Sequence, residues 1–138
     1  MSKIERPDTA FVLSQGARRP RQKAEGHLAW VRALPSVLSG ARPCEACHVR
    51  YGSPAHGKRE TGMQEKPDDA FVVPLTTHEH RTGPEAQHAN VEEAWWRARG
   101  IDPLDIALRL WAASGDDERG DAIIREANKI VRVRLASR

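Results

Sequence analysis

Apolar residues in the last third of the chain recur every three or four positions, a spacing that indicates helices. Asp102 followed by Pro103 is a typical helix start, because aspartate caps free backbone N–H groups and proline fits the first helical position. The apolar positions of this helix are Leu104, Ala107, Leu108 and Trp111. The spacing therefore predicts a helix from Pro103 to about Ser114.

Two further helices are predicted on either side of this one. Asn90 with Glu93 predicts the start of the earlier helix, and Gly100 is placed to end it. The last helix is predicted from about Asp117, and its residues divide between two faces. The apolar face carries Ile124, Val131 and Leu135, and another face carries Arg125, Lys129 and Arg132. The C-terminal part, about residues 90–136, is therefore predicted to be mostly helical.

Between residues 44 and 88 the pattern changes to two short runs typical of strands. The first run, Cys47 to Tyr51, alternates apolar and polar positions, and the second is Phe71 to Leu75. Thr76 and Glu79 then have the spacing of a capping box, which predicts a short helix directly after the second strand. The order of strand, long loop, strand and helix predicts an α+β fold.

The length of 138 residues allows one compact domain and a tail. Two cysteines can form at most one disulfide, which excludes a disulfide-rich scaffold. No run approaches the roughly 20 apolar residues that cross a bilayer, and the first residues lack the apolar stretch of a signal peptide. We therefore expect a cytoplasmic protein that does not bind a membrane.

The formal net charge of +3 is distributed unevenly along the chain. Residues 1–35 contain seven Lys and Arg against three Asp and Glu, whereas residues 89–138 contain nine of each kind. Much of the excess lies in Arg18, Arg19, Arg21 and Lys23. Residues 1–26 are therefore predicted to form a basic, disordered tail that can meet a polyanion, and residues 27–138 to form the folded domain.

All six histidines lie between His27 and His88, and this clustering marks a candidate site. Residues 44–48 read CEACH, the pattern of c-type haem attachment, which we reject because that haem is attached after export. Cys44 and Cys47 can also form half of a tetrahedral zinc site. Two histidines would complete that site, drawn from His56, His78, His80 and His88. Ordinary packing of the two cysteines beside a strand stays open as the alternative.

His48 on the first predicted strand and His80 on the short helix have the arrangement found in HNH (ββα-metal) nucleases. There, one imidazole takes a proton from water while the other helps to hold a divalent metal on the phosphate. His78 is expected to point away from this site, because two helical positions correspond to about 200° of rotation. His88 follows a Gly-Pro turn and can fold back as a further metal ligand.

Four longer motifs extend this picture over residues 27 to about 116. They read TGM-x-x-KPDD, VVPL, HRTGP-x-AQH and GIDPL. With these motifs the chain resembles the Ref-like recombination nucleases of temperate phages and prophages, which belong to the HNH superfamily. The resemblance implies a small ββα-metal core at about residues 44–88 with flanking helices, and a metal-dependent DNA endonuclease activity. It also implies that His48 is the general base, that His80 is the helix histidine and that His88 lies near the metal.

The chain departs from that family at two places. Several members bind a structural zinc, and here the corresponding positions are Ser36, Ser39, Thr76 and Glu79. We therefore expect that the structural zinc is absent. The middle asparagine of the HNH pattern is also missing, and Asp69 or its neighbour Asp68 is the expected substitute.

These residues predict hydrolysis of a DNA phosphodiester, with His48 and Asp69 as catalytic residues and a divalent ion held by His80 and His88. Mg²⁺ is the expected ion, and imidazole ligands also suit Mn²⁺ or Zn²⁺. Five cations are expected to contact DNA phosphates without reading base sequence. They are Arg50, Lys58, Arg59, Lys66 and Arg81. The expected partners are DNA and, from the resemblance, a recombinase filament on single-stranded DNA.

Two other classes of function stay open from the sequence. A DNA-binding accessory protein of recombination that no longer cuts DNA needs only the fold and the basic tail. A small zinc-binding interaction protein needs Cys44 and Cys47 but not His48. The presence of His48, His80 and His88 together favours the nuclease over a protein that has lost cutting.

Overall fold

The computed structural model describes residues 24–58 and 68–137 and shows an α+β fold. Its strands are β1 (Glu45–His48) and β2 (Val72–Leu75). Its α-helices are α1 (Glu25–Arg32), α2 (Glu92–Ala98), α3 (Pro103–Ala112) and α4 (Asp117–Ala136). Three short helical turns lie between them, at Pro54–His56, His78–Thr82 and Gln87–Ala89. The expected fold class is confirmed at this level.

The two strands form an antiparallel pair in which Glu45 lies opposite Leu75 and His48 opposite Val72. Both strands differ from their predicted bounds, Cys47 to Tyr51 and Phe71 to Leu75. The N–H group of Val49 still donates to the Phe71 carbonyl, but the N–H of Arg50 turns to the carboxylate of Glu92. Alternate residues of an antiparallel strand face its partner, so the N–H of Arg50 points to the other edge of β1, where Glu92 from α2 accepts it.

The predicted capping box after β2 is confirmed. The N–H of Glu79 donates to Thr76 Oγ1 at 3.2 Å, and the N–H of Thr76 donates to Glu79 Oε1 at 2.9 Å. The helical segment that follows is a wide turn of five residues, His78–Thr82, rather than an α-helix. This turn carries His80 and Arg81 beside the sheet.

The helix ends were predicted unevenly. Asp102 caps α3 as expected, since its carboxylate accepts from the N–H groups of Leu104 and Asp105. Gly100 follows α2 with a φ of +80°, which glycine adopts without a steric cost. The Asn90 cap is wrong: Asn90 donates to the Ala86 carbonyl, and α2 starts only at Glu92. A local side chain to backbone bond has taken the place of the cap.

The main core lies between the sheet and helices α2, α3 and α4. Its largest fully buried side chains include Trp96, Leu104, Leu110 and Ile124. Helix α1 covers the other side of the sheet, where Leu28 and Val31 pack with Val72. On the predicted apolar face of α4, Ile124 and Val131 are buried, whereas Leu135 is 48% exposed. None of the helices within 24–58 and 68–137 is long and apolar enough to cross a bilayer.

Two residues of the predicted tail, Glu25 and Gly26, lie in a helix. Helix α1 begins at Glu25, and the N–H of Ala24 just before it donates to Asp69 at 2.8 Å. A contact with a residue 45 positions away thus holds the backbone at the start of α1. The basic positions Arg18, Arg19, Arg21 and Lys23 lie outside the described residues.

The four positions related to a structural zinc lie together and hold one another by hydrogen bonds. The hydroxyl of Ser36 donates to Glu79 Oε1 at 2.7 Å, and that of Ser39 donates to Glu79 Oε2 at 2.6 Å. Thr76 completes the group through its capping box with Glu79. One carboxylate therefore joins the loop after α1 to the turn that carries His80.

We expect Glu79→Ala to lower the free energy of unfolding by about 1–3 kcal/mol, because the fully buried Ser36 loses the acceptor for its hydroxyl. Urea unfolding followed by circular dichroism measures this change. Glu85→Ala is the matched control, since the Glu85 side chain is 87% exposed and its ion pair with Arg99 is long, at 4.0 Å. Equal unfolding midpoints of the two variants would contradict the role given to Glu79.

Candidate functional site

His48 at the end of β1 is held by a buried carboxylate. Its Nε2 atom lies 2.9 Å from Asp69 Oδ1, and Asp69 is only 2% exposed. The second oxygen, Oδ2, accepts the N–H of Ala24. Asp69 is therefore fixed by the backbone before α1 and presents one oxygen to His48.

This pairing determines which nitrogen of His48 can act as a base. An ionised carboxylate only accepts hydrogen bonds, so Nε2 carries the proton and donates it to Asp69. The basic lone pair then lies on Nδ1. A histidine oriented by a carboxylate in this way is a common general base. The structure thus brings together the two residues predicted to be catalytic.

A second group of charged side chains surrounds His80. His80 Nδ1 lies 2.6 Å from Glu45 Oε1, while Arg81 and Thr77 donate to Glu45 Oε2 at 2.6 and 2.8 Å. Partial burial alone would raise the pKa of Glu45. The hydrogen bonds from His80, Arg81 and Thr77 outweigh it and lower that pKa to about 2. Glu45 is therefore ionised and leaves Nε2 of His80 as the atom that can bind a metal.

His88 lies directly against His80, with the two ring centroids 4.3 Å apart. Burial lowers the pKa of His88, and electrostatic interactions with His80, Arg81 and Arg50 lower it further, against an opposing effect of Glu45. A lowered pKa keeps the imidazole neutral, which is the form that binds metals. The predicted metal ligands His80 and His88 are therefore neighbours in the structure.

This pair fits a metal only as a partial site. Within residues 24–58 and 68–137, no group of three or more His, Cys, Asp and Glu side chains is arranged to hold a metal ion. His80 has the carboxylate partner that orients metal-binding histidines, and His88 adds a second imidazole. Two imidazoles suit an ion whose other ligands are water and a phosphate oxygen.

The two groups of residues lie on different faces of β1. Side chains alternate along a strand, so Glu45 shares a face with Cys47, and His48 shares the other with Ala46. Cys47 packs in the main core, whereas Ala46 packs toward α1. The sequence led us to expect that His48 faces His80 directly across a cleft, and this expectation is not met. Glu45 and His48 are three positions apart, about 10 Å along the strand.

The cations expected to contact DNA have different environments. Lys58 is buried at 4% exposure, donates to the Arg50 carbonyl at 3.1 Å and lies over the Phe71 ring. The expectation that Lys58 contacts a DNA phosphate is corrected, because this side chain is buried and its ammonium group donates to the Arg50 carbonyl. Arg81 is half exposed and paired with Glu45. Arg50 is partly buried, and Arg59 and Lys66 lie outside the described residues.

The cysteines have the contacts of packed thiols. Cys44 donates to the Ala41 carbonyl at 3.3 Å, and Cys47 lies 3.8 Å from Gln87 Oε1. Burial raises the pKa of Cys44 to about 11, with Glu79 adding to the effect, and burial also raises the pKa of Cys47. Zinc binds the thiolate, so both thiols are poorly prepared for it.

Two of the four histidines considered for a zinc site have other positions. His56 Nδ1 forms a hydrogen bond with Ser53 Oγ at 2.7 Å, and His56 Nε2 lies 3.2 Å from Asp102 Oδ2. It therefore connects its loop to the start of α3. His78 is exposed, and its ring lies against Gly83. The prediction that His78 points away from His80 agrees with the separate surroundings of the two rings.

Sequence reasoning missed Glu45 as a member of the site. Glu45 lies inside the CEACH motif, in which candidate roles were assigned to Cys44, Cys47 and His48 only. The signal that could have found it is its strand phase, which places it on the same face as Cys47. Glu45 begins β1 opposite Leu75, the last residue of β2, so it lies next to the turn after β2 that carries His80.

We expect the stability conferred by Glu45 to depend on acid pH. Its pKa lies below the ordinary value of 4.5, so its contribution is present above pH 4.5 and is lost as the pH falls toward about 2. The difference in unfolding free energy between the native protein and Glu45→Gln should therefore shrink over this range. Urea unfolding at pH 6.0, 4.5 and 3.0 measures it. A difference that stays constant or grows toward pH 3.0 would contradict the assigned pKa.

Comparison of the chain with protein-family models, with curated proteins and with solved structures gives no match.

Proposed function

We propose that this chain is a metal-dependent DNA endonuclease of the HNH type, with a ββα-metal core formed by β1, β2 and the turn at His78–Thr82. The observation that carries the proposal is the His48–Asp69 pair at the end of β1. A buried carboxylate that fixes one nitrogen of a strand histidine prepares the other nitrogen for proton transfer. The neighbouring His80 and His88 supply the second element that such a nuclease needs.

In this mechanism His48 removes a proton from the attacking water through Nδ1. Asp69 holds the imidazole in the required tautomer and stabilises the charge that the ring gains. His80 and His88 would hold the divalent ion, and Glu45 orients His80. When bound there, Mg²⁺, or Mn²⁺ or Zn²⁺ in its place, supplies positive charge for the phosphate and the leaving oxygen.

The position of the substrate follows from the two faces of β1. Within residues 24–58 and 68–137, β1 pairs with β2 alone, so its other edge is next to no strand there. A phosphate that contacts both His48 and the His80–His88 pair has to lie along this edge. Arg81, half exposed beside Glu45, is placed to contact a phosphate next to the cleaved one. Such contacts bind DNA without reading its sequence.

A DNA-binding accessory protein that does not cut is the second candidate function. It is favoured by the positions of His48 and of Glu45, the partner of His80, on different faces of β1. Both candidates predict DNA binding, and only the nuclease predicts metal-dependent cleavage. A recombinase filament on single-stranded DNA is a proposed partner for either one.

Cleavage of supercoiled plasmid and of single-stranded circular DNA tests the proposal. The metal-stripped chain is assayed after addition of Mg²⁺, Mn²⁺ or Zn²⁺, with and without a recombinase filament. The nuclease predicts nicks or linear products that require a metal. DNA binding without cleavage under every one of these conditions would replace the nuclease with the accessory protein.

A further inference from the structure

Three cations form a continuous stripe on the outer side of α4. Arg125, Lys129 and Arg132 are all exposed and follow one another at helical spacings of four and three residues. At 100° per residue their directions fall within about 60° of one another around the helix. We call these three residues the α4 basic face. It extends over about 10 Å of the helix axis.

The cations of this face differ from most other arginines on the surface. Arg32, Arg81, Arg97 and Arg109 each pair with a carboxylate. For Arg125, Lys129 and Arg132, no carboxylate among residues 24–58 and 68–137 lies within ion-pair distance. The neighbouring Glu126 is already engaged by Arg109 at 2.9 Å. The positive charge of the α4 basic face is therefore left for a partner outside the described chain.

The face also borders a groove. A surface depression of about 530 Å³ is lined by the three cations together with Ala122, Glu126 and Asn128. A partner that follows the stripe can therefore enter between the cations instead of touching only their tips.

Hydrogen bonds connect this face to the candidate active site. Asn128, on the neighbouring side of α4, donates to the carbonyls of Ser36 and Val37 at 3.0 and 2.9 Å. Ser36 in turn donates to Glu79, the residue before His80. The α4 basic face and the turn that carries His80 are thus attached to the same loop, so their relative position is fixed.

We propose that the α4 basic face binds the phosphate backbone of DNA and guides the strand to the site at His80. In taking DNA as the partner, this inference rests on the proposed function. One DNA strand presents a phosphate about every 3.4 Å along the axis, so about 10 Å of α4 lies alongside four consecutive phosphates, and each of the three cations can contact one of them. Guanidinium and ammonium groups contact phosphates without reading bases, and the binding is therefore independent of sequence.

DNA binding measured at several salt concentrations tests this inference. A labelled 20-base-pair duplex is titrated with the full chain in EDTA, which separates binding from cleavage, and anisotropy gives the affinity. The triple variant Arg125→Ala, Lys129→Ala, Arg132→Ala is compared with the native chain. Three lost phosphate contacts lower the slope of log affinity against log salt by about 2.7. Between 50 and 200 mM salt the native affinity should therefore fall about 40-fold more than that of the variant.

A control variant removes charge from exposed cations that already have carboxylate partners away from this face. Arg32→Ala, Arg97→Ala should keep the native salt slope within about half a unit, because these side chains are neutralised by Glu25 and Glu93. Thermal unfolding checks that both variants fold. A slope that falls equally in both variants, or in neither, overturns the inference.

Two further measurements distinguish DNA binding by α4 from membrane binding and from the nuclease activity. Binding to phosphatidylserine vesicles is measured for the native chain and the α4 variant. If the variant loses vesicle binding but keeps native DNA binding, the α4 basic face binds membranes and the inference fails. The plasmid assay tests the nuclease independently. Salt-dependent DNA binding through α4 without cleavage would overturn the nuclease alone, whereas cleavage with an unchanged salt slope in the α4 variant would overturn only the inference about α4.

Discussion

Under the proposed mechanism, replacing His48 with alanine should lower the rate of metal-dependent DNA nicking by about 10²- to 10⁴-fold, which is the usual contribution of a general base. The reason is the arrangement at the end of β1, where Asp69 fixes Nε2 and the proposal assigns the proton of water to Nδ1. Alanine removes that nitrogen and does not disturb the backbone ladder between β1 and β2. DNA affinity in EDTA should remain native, because His48 takes part in proton transfer and not in phosphate binding.

The matched control for this experiment is His78→Ala, which removes an exposed imidazole from the turn beside the site. Its nicking rate should stay within about twofold of the native rate, as is usual for a surface residue outside the chemistry. Asp69→Asn adds a second check on the pair. Asparagine keeps the size of the side chain but can orient His48 in the wrong tautomer, so nicking falls while folding is kept. Native nicking by His48→Ala would remove His48 from the mechanism.

Replacing His80 with alanine raises the concentration of Mn²⁺ needed for half-maximal nicking by at least about 100-fold. The bound on this effect comes from the orienting partners of metal ligands, whose loss alone costs about 10- to 100-fold in affinity. His80 would lose its own ligand atom as well as the contact with Glu45. Titration of nicking with Mn²⁺, supported by calorimetric titration of the ion, measures the change.

Glu45→Gln and His78→Ala serve as graded controls for the His80 experiment. Glu45→Gln keeps both imidazoles and loses only the carboxylate that orients His80, so we expect a loss of about 10- to 100-fold in Mn²⁺ affinity. His78→Ala lies two residues away on the same turn and should leave the Mn²⁺ requirement unchanged. An equal loss in all three variants would indicate that the turn itself is disrupted. Native Mn²⁺ dependence in His80→Ala would place the metal elsewhere.

The local features of the fold were read well from the sequence. The capping box of Thr76 with Glu79 and the N-cap of Asp102 are both present. These signals act over two or three residues, so the energies that decide them are contained within the motif. The predicted Asn90 cap is wrong because the Asn90 side chain donates to the nearby Ala86 carbonyl instead of capping α2.

The candidate site was predicted only in part. His80 and His88 are adjacent and His48 pairs with Asp69, so the residues grouped by the sequence are also grouped in space. Their division between two faces of β1 was not predicted, because the predicted strand began at Cys47 and left out Glu45, the residue that holds His80. Glu45 and His48 are three positions apart, so their side chains lie on opposite faces of the strand.

The sequence by itself determined the class of fold, the start of α3, the capping box after β2 and the grouping of His48 with Asp69 and of His80 with His88. Tertiary structure alone decided that Glu45 orients His80, that Glu79 joins Ser36 and Ser39, and that Lys58 is buried. Each of these contacts depends on how distant segments pack. Glu45 and His80 are 35 positions apart, and Ser36 and Glu79 are 43 apart. Local patterns specify helices and turns over a few residues, whereas the partner of a charged side chain is determined only when the core brings two segments together.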